Sequence, residues 1–396
     1  MAVSELTRKH NDWRSGCINL VASENKMSPA ASEALVSDMG SRYFFKEIFE
    51  TETGLKYDYC GAKYIREIYE TTEDVAKRLF NANYVNLEML SGHLANMNIL
   101  LSYCKPGDTI ICSDTRFGGY PGLAEDKLPK FLGINIKFIP QEEIGGVIDL
   151  DKLERLIIET KPKIVMLSSS ITIFPFPVRE VTNICHKYGI PFCYDASHPL
   201  GLIAGGEFQA PFEEGADLII GSTHKSLPGP QGGIILGNNK NYEAIHQATD
   251  FVVVDNIHVN RVAALGVTLL ETEKFGKEYA RQIVINSKAL AGALIKKGFS
   301  IAFSEQGCSE SHQFLIQKDF GCYSKFTLSM EAAGIILDNS GRFGVSEVTR
   351  MGMKAPDMTI IADLISQVVT NGVDDSIRDK VIGFMNEFKT VHYCFR

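Results

Sequence analysis

Residues 218–233 read LIIGSTHKSLPGPQGG, and this stretch indicates how the rest of the chain is built. An apolar β-branched run at 218–220 leads into Ser222, His224 and Lys225, and a glycine-rich turn follows. Residues 191–198, PFCYDASH, have the same arrangement further upstream, where an apolar run leads into Asp195 and His198. Short apolar runs closed by polar residues are typical of strands buried in a parallel sheet.

Similar runs recur between about residues 70 and 240, with helical periodicity between them at 150–159 and 178–188. The runs lie at 84–90, 109–112, 136–139, 163–167, 191–194, 218–220 and 233–236. This alternation predicts an α/β fold with a mostly parallel seven-stranded sheet covered by helices.

The pattern changes near residue 275 to a long helix at 279–297, followed by short strands and a final amphipathic stretch. A chain of this length exceeds the size at which single cores stop growing. We therefore predict an N-terminal arm (1–40), a large domain (41–275) and a smaller C-terminal α/β domain (276–396).

The composition is that of an ordinary globular protein, with 45% hydrophobic residues, 22% charged residues and a net charge of −8 over 396 residues. This balance excludes disordered, collagen-like and coiled-coil chains. The mild acidity, with no dense run of Lys and Arg, gives no electrostatic footprint for nucleic acid or an anionic membrane. We expect neither as a partner.

The nine cysteines are scattered, without a C-x-x-C pair or a His/Cys cluster of metal-ligand spacing, so we predict no metal site. They fit a reduced, cytoplasmic setting. Residues 1–16, MAVSELTRKHNDWRSG, lack the apolar core of a signal peptide, and no apolar run approaches the roughly 18 residues of a membrane helix. We predict an unexported protein.

Ligands of parallel sheets bind beyond the carboxyl ends of the strands, where three loops carry unusual residues. Lys225 follows one strand, and a lysine with a lowered pKa can form a Schiff base with an aldehyde. Asp195 follows another and can keep a pyridine nitrogen protonated. Ser91 and Gly92 open a helix whose N–H groups suit a phosphate. Together they predict a pyridoxal 5′-phosphate site.

Each of these residues also has a plainer interpretation. A strand-end aspartate is usually a cap or turn residue, a Ser-Gly pair before a helix is usually a cap, and a lysine after a strand is normally solvated. Only their order and spacing favour the cofactor site.

Several motifs make the chain resemble the serine hydroxymethyltransferases, a family of fold-type I pyridoxal-phosphate enzymes. The similar segments are INLVASEN at 18–25, SGHLAN at 91–96, YDASHPLGL at 194–202, THKSLPGPQGG at 223–233, and RFG followed by TR within 342–350. The segment at 223–233 is the most specific.

The resemblance implies roles for the residues that match the family motifs. Lys225 would form the internal aldimine, Asp195 would bond the pyridine nitrogen, and His198 and Ser170 would lie near the ring's 3-oxygen. Arg342 would bind the substrate α-carboxylate as a bidentate fork. Without the resemblance, Arg342 would be interpreted as half of a surface ion pair and His198 as a structural histidine.

Other residues are expected around the cofactor and substrate by the same resemblance. The phosphate would be surrounded by Ser91, Gly92, His93, Ser222 and His224. The substrate would be contacted by Ser23, Glu24 and Tyr59 in addition to Arg342. The resemblance also implies a homodimer with shared sites.

The chain departs from the family pattern on the folate side. Phe117 replaces the histidine that stacks on the cofactor ring, and an aromatic face still suits that position. One tyrosine of a pair is kept, as Tyr59. Residues 253–258, VVDNIH, replace a glycine-rich loop that reaches the neighbouring subunit's phosphate. Glu47, Glu50 and Glu52 are candidates for the family's acid–base glutamate, without a clear alignment for any one of them.

Three functions are consistent with this pattern. The first is an enzyme that makes or breaks the Cα–Cβ bond of a β-hydroxy amino acid through a glycine quinonoid, with or without tetrahydrofolate, as a hydroxymethyltransferase, aldolase or transaldolase. The second is transamination, racemisation or decarboxylation of a small amino acid, because the same cofactor supports each of them. The third is a catalytically silent binding protein, which the complete set of Lys225, Asp195 and Arg342 disfavours.

Overall fold

A computed structural model describes residues 2–46, 59–145, 147–239, 242–317 and 323–395. The α-helices are α1 Ala2–Ser15, α2 Pro29–Leu35, α3 Lys63–Phe80, α4 Gly92–Tyr103, α5 Leu128–Leu132, α6 Leu150–Thr160, α7 Val178–Lys187, α8 Leu200–Ala204, α9 Glu243–Thr249, α10 Val259–Lys296, α11 Tyr323–Ala333, α12 Ser346–Arg350, α13 Ala355–Asn371 and α14 Asp375–Met385. The strands are β1 Ile18–Asn19, β2 Tyr84–Asn86, β3 Thr109–Cys112, β4 Asn135–Phe138, β5 Val165–Ser168, β6 Phe192–Asp195, β7 Leu218–Ser222, β8 Gly233–Gly237, β9 Gln313–Leu315, β10 Ile335–Ile336 and β11 Arg342–Gly344.

The predicted sheet is confirmed as a seven-stranded sheet in the order β2-β8-β7-β6-β5-β3-β4. The pairs among β4, β3, β5, β6 and β7 are parallel, and β8 runs antiparallel to both of its neighbours. Every residue of β5, β6, β7 and β8 is buried, as expected for strands covered by helices on both faces. Alternate residues therefore enter two different apolar cores.

Two elements differ from their predicted bounds by more than two residues. The run at 84–90 is a strand only as far as Asn86, whose side-chain oxygen accepts a hydrogen bond from the N–H of Glu88 and turns the chain out of the sheet. The long helix begins at Val259 rather than at residue 279. Residues 261–266 are all buried, so this part of α10 lacks the one-sided apolar stripe that would have revealed a helix.

A separate apolar core contains the C-terminal elements. It includes Ile283 and Leu290 from the second half of α10, whereas Leu265 and Leu269 from the first half belong to a core of the main sheet. The predicted boundary at residues 275–276 thus falls inside one continuous helix, and the domain division stays a prediction. Residues 18–19 of the predicted arm form β1, which pairs with β10.

A buried ion pair joins α10 to α12. Arg350 and Glu271 are each 1% exposed, and Nη2 of Arg350 lies 3.0 Å from Oε2 of Glu271. The carbonyl of Tyr393 accepts a hydrogen bond from Arg350, and the N–H of Phe395 donates to Glu271. Residues 393–395 therefore complete the hydrogen bonding of this buried pair.

Within the described residues, no helix combines the length and the apolar character needed to cross a membrane.

We predict that Glu271→Gln lowers the free energy of unfolding by about 3–5 kcal/mol, because it leaves the Arg350 guanidinium buried without its counter-charge. Urea unfolding would measure the change. Glu273→Gln, on the same helix, is the matched control, because its pair with Arg78 is exposed and we expect a loss below about 1 kcal/mol. Equal losses in the two variants would contradict the prediction.

Candidate active site

Three neighbouring strands of the main sheet end in polar residues at the same edge. Ser168 at the end of β5 is paired in register with Asp195 at the end of β6, and Ser222 ends β7. The carboxyl ends of parallel strands meet at one edge, which explains why residues far apart in sequence converge. The site is built on rigid, buried strands.

The Asp195 carboxylate is 6% exposed and accepts three hydrogen bonds. Ser168 Oγ donates to Oδ2 at 2.7 Å, Asn96 Nδ2 donates to Oδ2 at 2.9 Å, and the N–H of Ser197 donates to Oδ1 at 3.0 Å. Three donors fix the orientation of the group. Asp195 can therefore present a fixed negative charge to a protonated ring nitrogen.

Lys225 lies in the loop after β7, and its backbone carbonyl accepts a hydrogen bond from Asn25 Nδ2 at 2.7 Å. Burial lowers the pKa of its amine to about 8. The negative charge of Asp195 opposes this shift, and the positive charge of Arg342 adds to it. Lys225 is thus electrostatically coupled to both groups, and more of it is the nucleophilic free amine near neutral pH than for an ordinary lysine.

The start of α4 packs directly on the end of β7. A Cβ at Gly92 would lie 2.5 Å from Ser222 Oγ and 3.0 Å from Ser197 Oγ. The N–H of Ser222 donates to Ser197 Oγ at 3.0 Å. Only glycine at position 92 allows α4 to approach β7 so closely. The hydroxyl groups of Ser197 and Ser222 therefore lie next to the first N–H groups of α4.

Ser91 is the N-cap of α4, because its Oγ accepts a hydrogen bond from the N–H of Leu94 at 3.1 Å. The plainer interpretation of this serine as a cap is therefore correct for its side chain. His93 follows on the exposed side, with Nδ1 2.7 Å from the hydroxyl of Tyr120. Burial raises the pKa of Tyr120 to about 12, and the charge of Asp195 contributes.

His224 has a buried ring nitrogen, Nδ1, with no hydrogen-bond partner in the described part of the chain. Burial and the adjacent Lys225 lower the pKa of this histidine to about 4, so the ring is neutral at physiological pH. Buried polar atoms are normally hydrogen-bonded. The free Nδ1 atom of His224, next to Lys225 in the chain, is therefore suited to form a hydrogen bond with a polar group of a bound ligand.

Arg342 lies at the start of β11, and its guanidinium reaches the main sheet. Nε donates to Asp338 at 2.8 Å, and Nη1 donates to the carbonyl of Ser170 at 2.6 Å. Nη1 is also 3.4 Å from Nε2 of His198. The structure thus brings together three of the predicted site residues, Arg342, His198 and Ser170.

His198 is 2% exposed, and its pKa lies well below the ordinary value. Burial is the main cause, and the positive charges of Lys225 and Arg342 act in the same direction. A neutral imidazole can therefore accept a hydrogen bond beside these two cations.

Phe117 ends a short 3₁₀ turn, Thr115–Phe117, that is capped by Asp114. The next residue, Gly118, has φ of +91°, and its carbonyl accepts a hydrogen bond from the N–H of Ser170 at 2.8 Å. Phe117 is therefore held beside the segment that Arg342 contacts. This is consistent with an aromatic wall at the site.

The remaining predicted substrate residues, Ser23, Glu24 and Tyr59, make other contacts. Ser23 and Glu24 line a cavity of about 960 Å³ that also includes His224. The Glu24 carboxylate is paired with Arg14 at 2.7 Å, and Tyr59 packs against Tyr43 and Phe45. Glu47, Glu50 and Glu52 lie outside the described residues.

Sequence reasoning missed several residues that support this arrangement. Asn96 lies one helical turn after Gly92, so the spacing alone could have placed it on the same face of α4. Ser168 directly follows the predicted strand at 163–167 and could have been found from the sheet register. Ser197, Tyr120 and His312, which contacts His198, gave no such local signal.

The donor set fits pyridoxal 5′-phosphate. Lys225 offers an amine for the aldehyde, Asp195 offers a carboxylate for the pyridine nitrogen, and the Gly92–Ser222 contact lies at a helix N-terminus suited to a phosphate. The guanidinium of Arg342, which suits a substrate carboxylate, contributes to the lowered pKa of the same lysine.

Comparison with known proteins agrees with this chemistry. A family model described as serine hydroxymethyltransferase matches residues 1–365. The serine hydroxymethyltransferase of Methanobrevibacter smithii is 38% identical over 406 residues, covering 98% of this chain and 94% of that protein. That of Methanopyrus kandleri is 38% identical over 411 residues, covering 100% of this chain and 95% of that protein.

A solved structure is also similar over nearly the whole fold. The L-threonine transaldolase of Pseudomonas fluorescens, crystallised in its internal aldimine state, superposes with a TM-score of 0.90 at 27% identity. The match covers 99% of this chain and 93% of the transaldolase. The chain belongs to the serine hydroxymethyltransferase family, as a pyridoxal-phosphate enzyme of fold type I that makes or breaks the Cα–Cβ bond of β-hydroxy amino acids.

Proposed function

We propose that this enzyme cleaves and forms the Cα–Cβ bond of a small β-hydroxy amino acid without requiring tetrahydrofolate. The observation that carries the proposal is the contact of Arg342 with His198 and Ser170, since His198 closely follows the strand that ends at Asp195. When bound, pyridoxal phosphate supplies an aldehyde and a ring that accepts electrons from the substrate's α-carbon. The chain's own residues bind and orient the reactants around it.

Each group has a distinct task in this proposal. Lys225 provides the neutral amine that holds the cofactor aldehyde, and Asp195 keeps the proton on the pyridine nitrogen. Arg342 binds the substrate carboxylate, and His198 and Ser170 flank it. The phosphate is surrounded by Ser91, Gly92, His93, Ser222 and His224. The side chain of Phe117 covers one face of the cofactor ring. A carboxylate held in a fixed place determines which bond of the α-carbon is aligned for cleavage.

The folate-independent version is supported by the residues that depart from the family pattern. The segment that replaces the glycine-rich loop is packed into its own chain, with Val254 5% and Ile257 2% exposed. The N–H of Ile257 donates to the carbonyl of Phe44 at 3.1 Å. This anchored segment, which also holds the acidic Asp255, offers few of the backbone N–H groups that a glycine loop gives to an anion. The similarity to a threonine transaldolase supports the same version.

Assembly as a homodimer belongs to the same proposal. Helix α1 has no buried residue within its own chain, which is consistent with a surface that a second copy covers. Light scattering of the purified protein would test this.

The reaction itself predicts that the holoenzyme releases acetaldehyde from L-threonine, together with an equal amount of glycine, and that added tetrahydrofolate does not change the rate. A coupled alcohol dehydrogenase assay would measure the aldehyde. Lys225→Gln is the control and should be inactive. Serine or threonine turnover only in the presence of tetrahydrofolate would contradict the proposal, and accumulation of pyridoxamine phosphate would indicate transamination instead.

In the cofactor-free protein, the Lys225 amine should titrate with a pKa of about 8. Below that pH it is mostly the unreactive ammonium ion, and above it mostly the amine. Arg342→Ala should move the midpoint to higher pH, because it removes a positive charge that disfavours the ammonium ion. Competitive reductive methylation with formaldehyde, followed by peptide mass spectrometry, would give the profile.

Lys187 is an internal control for that profile. A hydrogen bond with Glu154 raises its pKa, so it should be methylated only at higher pH. If Lys225 and Lys187 were methylated over the same pH range, the lowered pKa of Lys225 would be contradicted.

Gly92→Ala should weaken pyridoxal phosphate binding by about tenfold or more, since a methyl group would displace Ser222 and Ser197 from the phosphate position. Fluorescence titration of the cofactor-free protein would measure the dissociation constant. Gly292→Ala is the matched control, because a Cβ there meets no atom within 4 Å. An unchanged constant in Gly92→Ala would place the phosphate elsewhere.

A further inference from the structure

His312 lies where three segments of the site meet. It directly precedes β9, which pairs with the strand that carries Arg342, and its carbonyl accepts a hydrogen bond from the N–H of Val345 at 3.0 Å. It is fully buried and contacts His198 from the main sheet. The backbone of Ala22, next to Ser23, is close enough to influence its pKa.

The two histidines and Arg342 form a line of contacts. Nδ1 of His198 is 3.3 Å from Nε2 of His312, and Nε2 of His198 is 3.4 Å from Nη1 of Arg342. The planes of the two imidazole rings are inclined to each other by 19°. Each ring nitrogen of His198 therefore faces one specific partner.

The chemistry of these groups determines where the protons are. A guanidinium has only donors, so Nε2 of His198 must accept and the proton of this neutral ring must be on Nδ1. That N–H points at Nε2 of His312, which must accept in turn. His312 then carries its proton on Nδ1, a buried nitrogen with no hydrogen-bond partner among the described residues.

Both rings remain neutral at physiological pH. Burial lowers the pKa of His312 to about 3, and the positive charges of Arg342 and Lys225 add to this shift. Neutral rings keep the direction of the contacts fixed. A doubly protonated His198 would direct an N–H at Arg342 and repel it.

We propose that His312 is a positioning residue, which holds His198 in its Nδ1-protonated tautomer so that His198 presents an acceptor that orients the Arg342 guanidinium for the substrate carboxylate. This inference rests on the proposed role of Arg342. His312 itself touches neither cofactor nor substrate in this proposal and acts through His198. Outer partners of this kind commonly fix the tautomer of a functional histidine.

The tautomer of His198 can be measured directly on the wild-type holoenzyme, independently of its activity. Long-range ¹H–¹⁵N spectra of the histidine-labelled protein, with His198 assigned by its loss in His198→Asn, should show a protonated Nδ1 and an unprotonated Nε2. A proton on Nε2 of His198 in the wild type would overturn the proposal.

Two substitutions test the consequence for substrate binding. His312→Leu removes the acceptor and should shift His198 towards the other tautomer and raise the KM for the amino acid about tenfold, with a smaller change in kcat. His312→Gln places an amide oxygen near the position of Nε2 and should restore both readouts. Cofactor absorbance and thermal unfolding would verify that both variants are folded.

The pattern of results separates this inference from its premise. If Arg342→Ala raises KM but His312→Leu does not, the positioning role is wrong. If neither variant changes KM while the tautomer is as stated, the carboxylate site lies elsewhere, and the inference fails with it. A raised KM in His312→Leu and in His312→Gln alike, with an unchanged tautomer, would indicate a merely structural residue and overturn the proposal.

Discussion

The parallel register of β5, β6 and β7 is the constraint on which the site depends. Ser168 pairs with Asp195, and Asp195 pairs with Ile220, so the polar ends of the strands meet at one edge. A register shift of one residue would turn the Asp195 side chain to the other face of the sheet and away from Asn96. Because every residue of these strands is buried, apolar packing on both faces fixes the register.

Much of this arrangement could be predicted from the sequence, because short apolar runs and strand-end polar residues are local signals. The positions of Lys225 and Asp195 follow from such signals, and so does the mostly parallel sheet. The antiparallel β8 does not, because an apolar run carries no information about strand direction. His312 was also beyond reach, since its importance arises from contacts across 114 positions of sequence that no local pattern records.

The electrostatics of the site separate charged groups from neutral ones. His198, His224 and His312 are all kept neutral, mainly by burial. The positive charge is therefore concentrated on Arg342 and on the titrating amine of Lys225, and the negative charge of Asp195 opposes it. Such a distribution favours a ligand that carries negative charge at its carboxylate and a positive ring nitrogen near Asp195. Neutral imidazoles also provide hydrogen bonds without competing for the same anions.

The Arg350–Glu271 pair has a consequence for how the protein is made. The N–H of Phe395 completes the hydrogen bonding of Glu271, although it lies 124 positions later in the chain. During synthesis, α10 leaves the ribosome long before this segment exists, and until then the Oε1 atom of Glu271 lacks the N–H of Phe395 and needs water instead. The hydrogen bonding between α10 and α12 can therefore be completed only late, after translation has passed residue 395. A ribosome stalled before that point should carry a nascent chain whose main sheet can be formed while this junction is still hydrated.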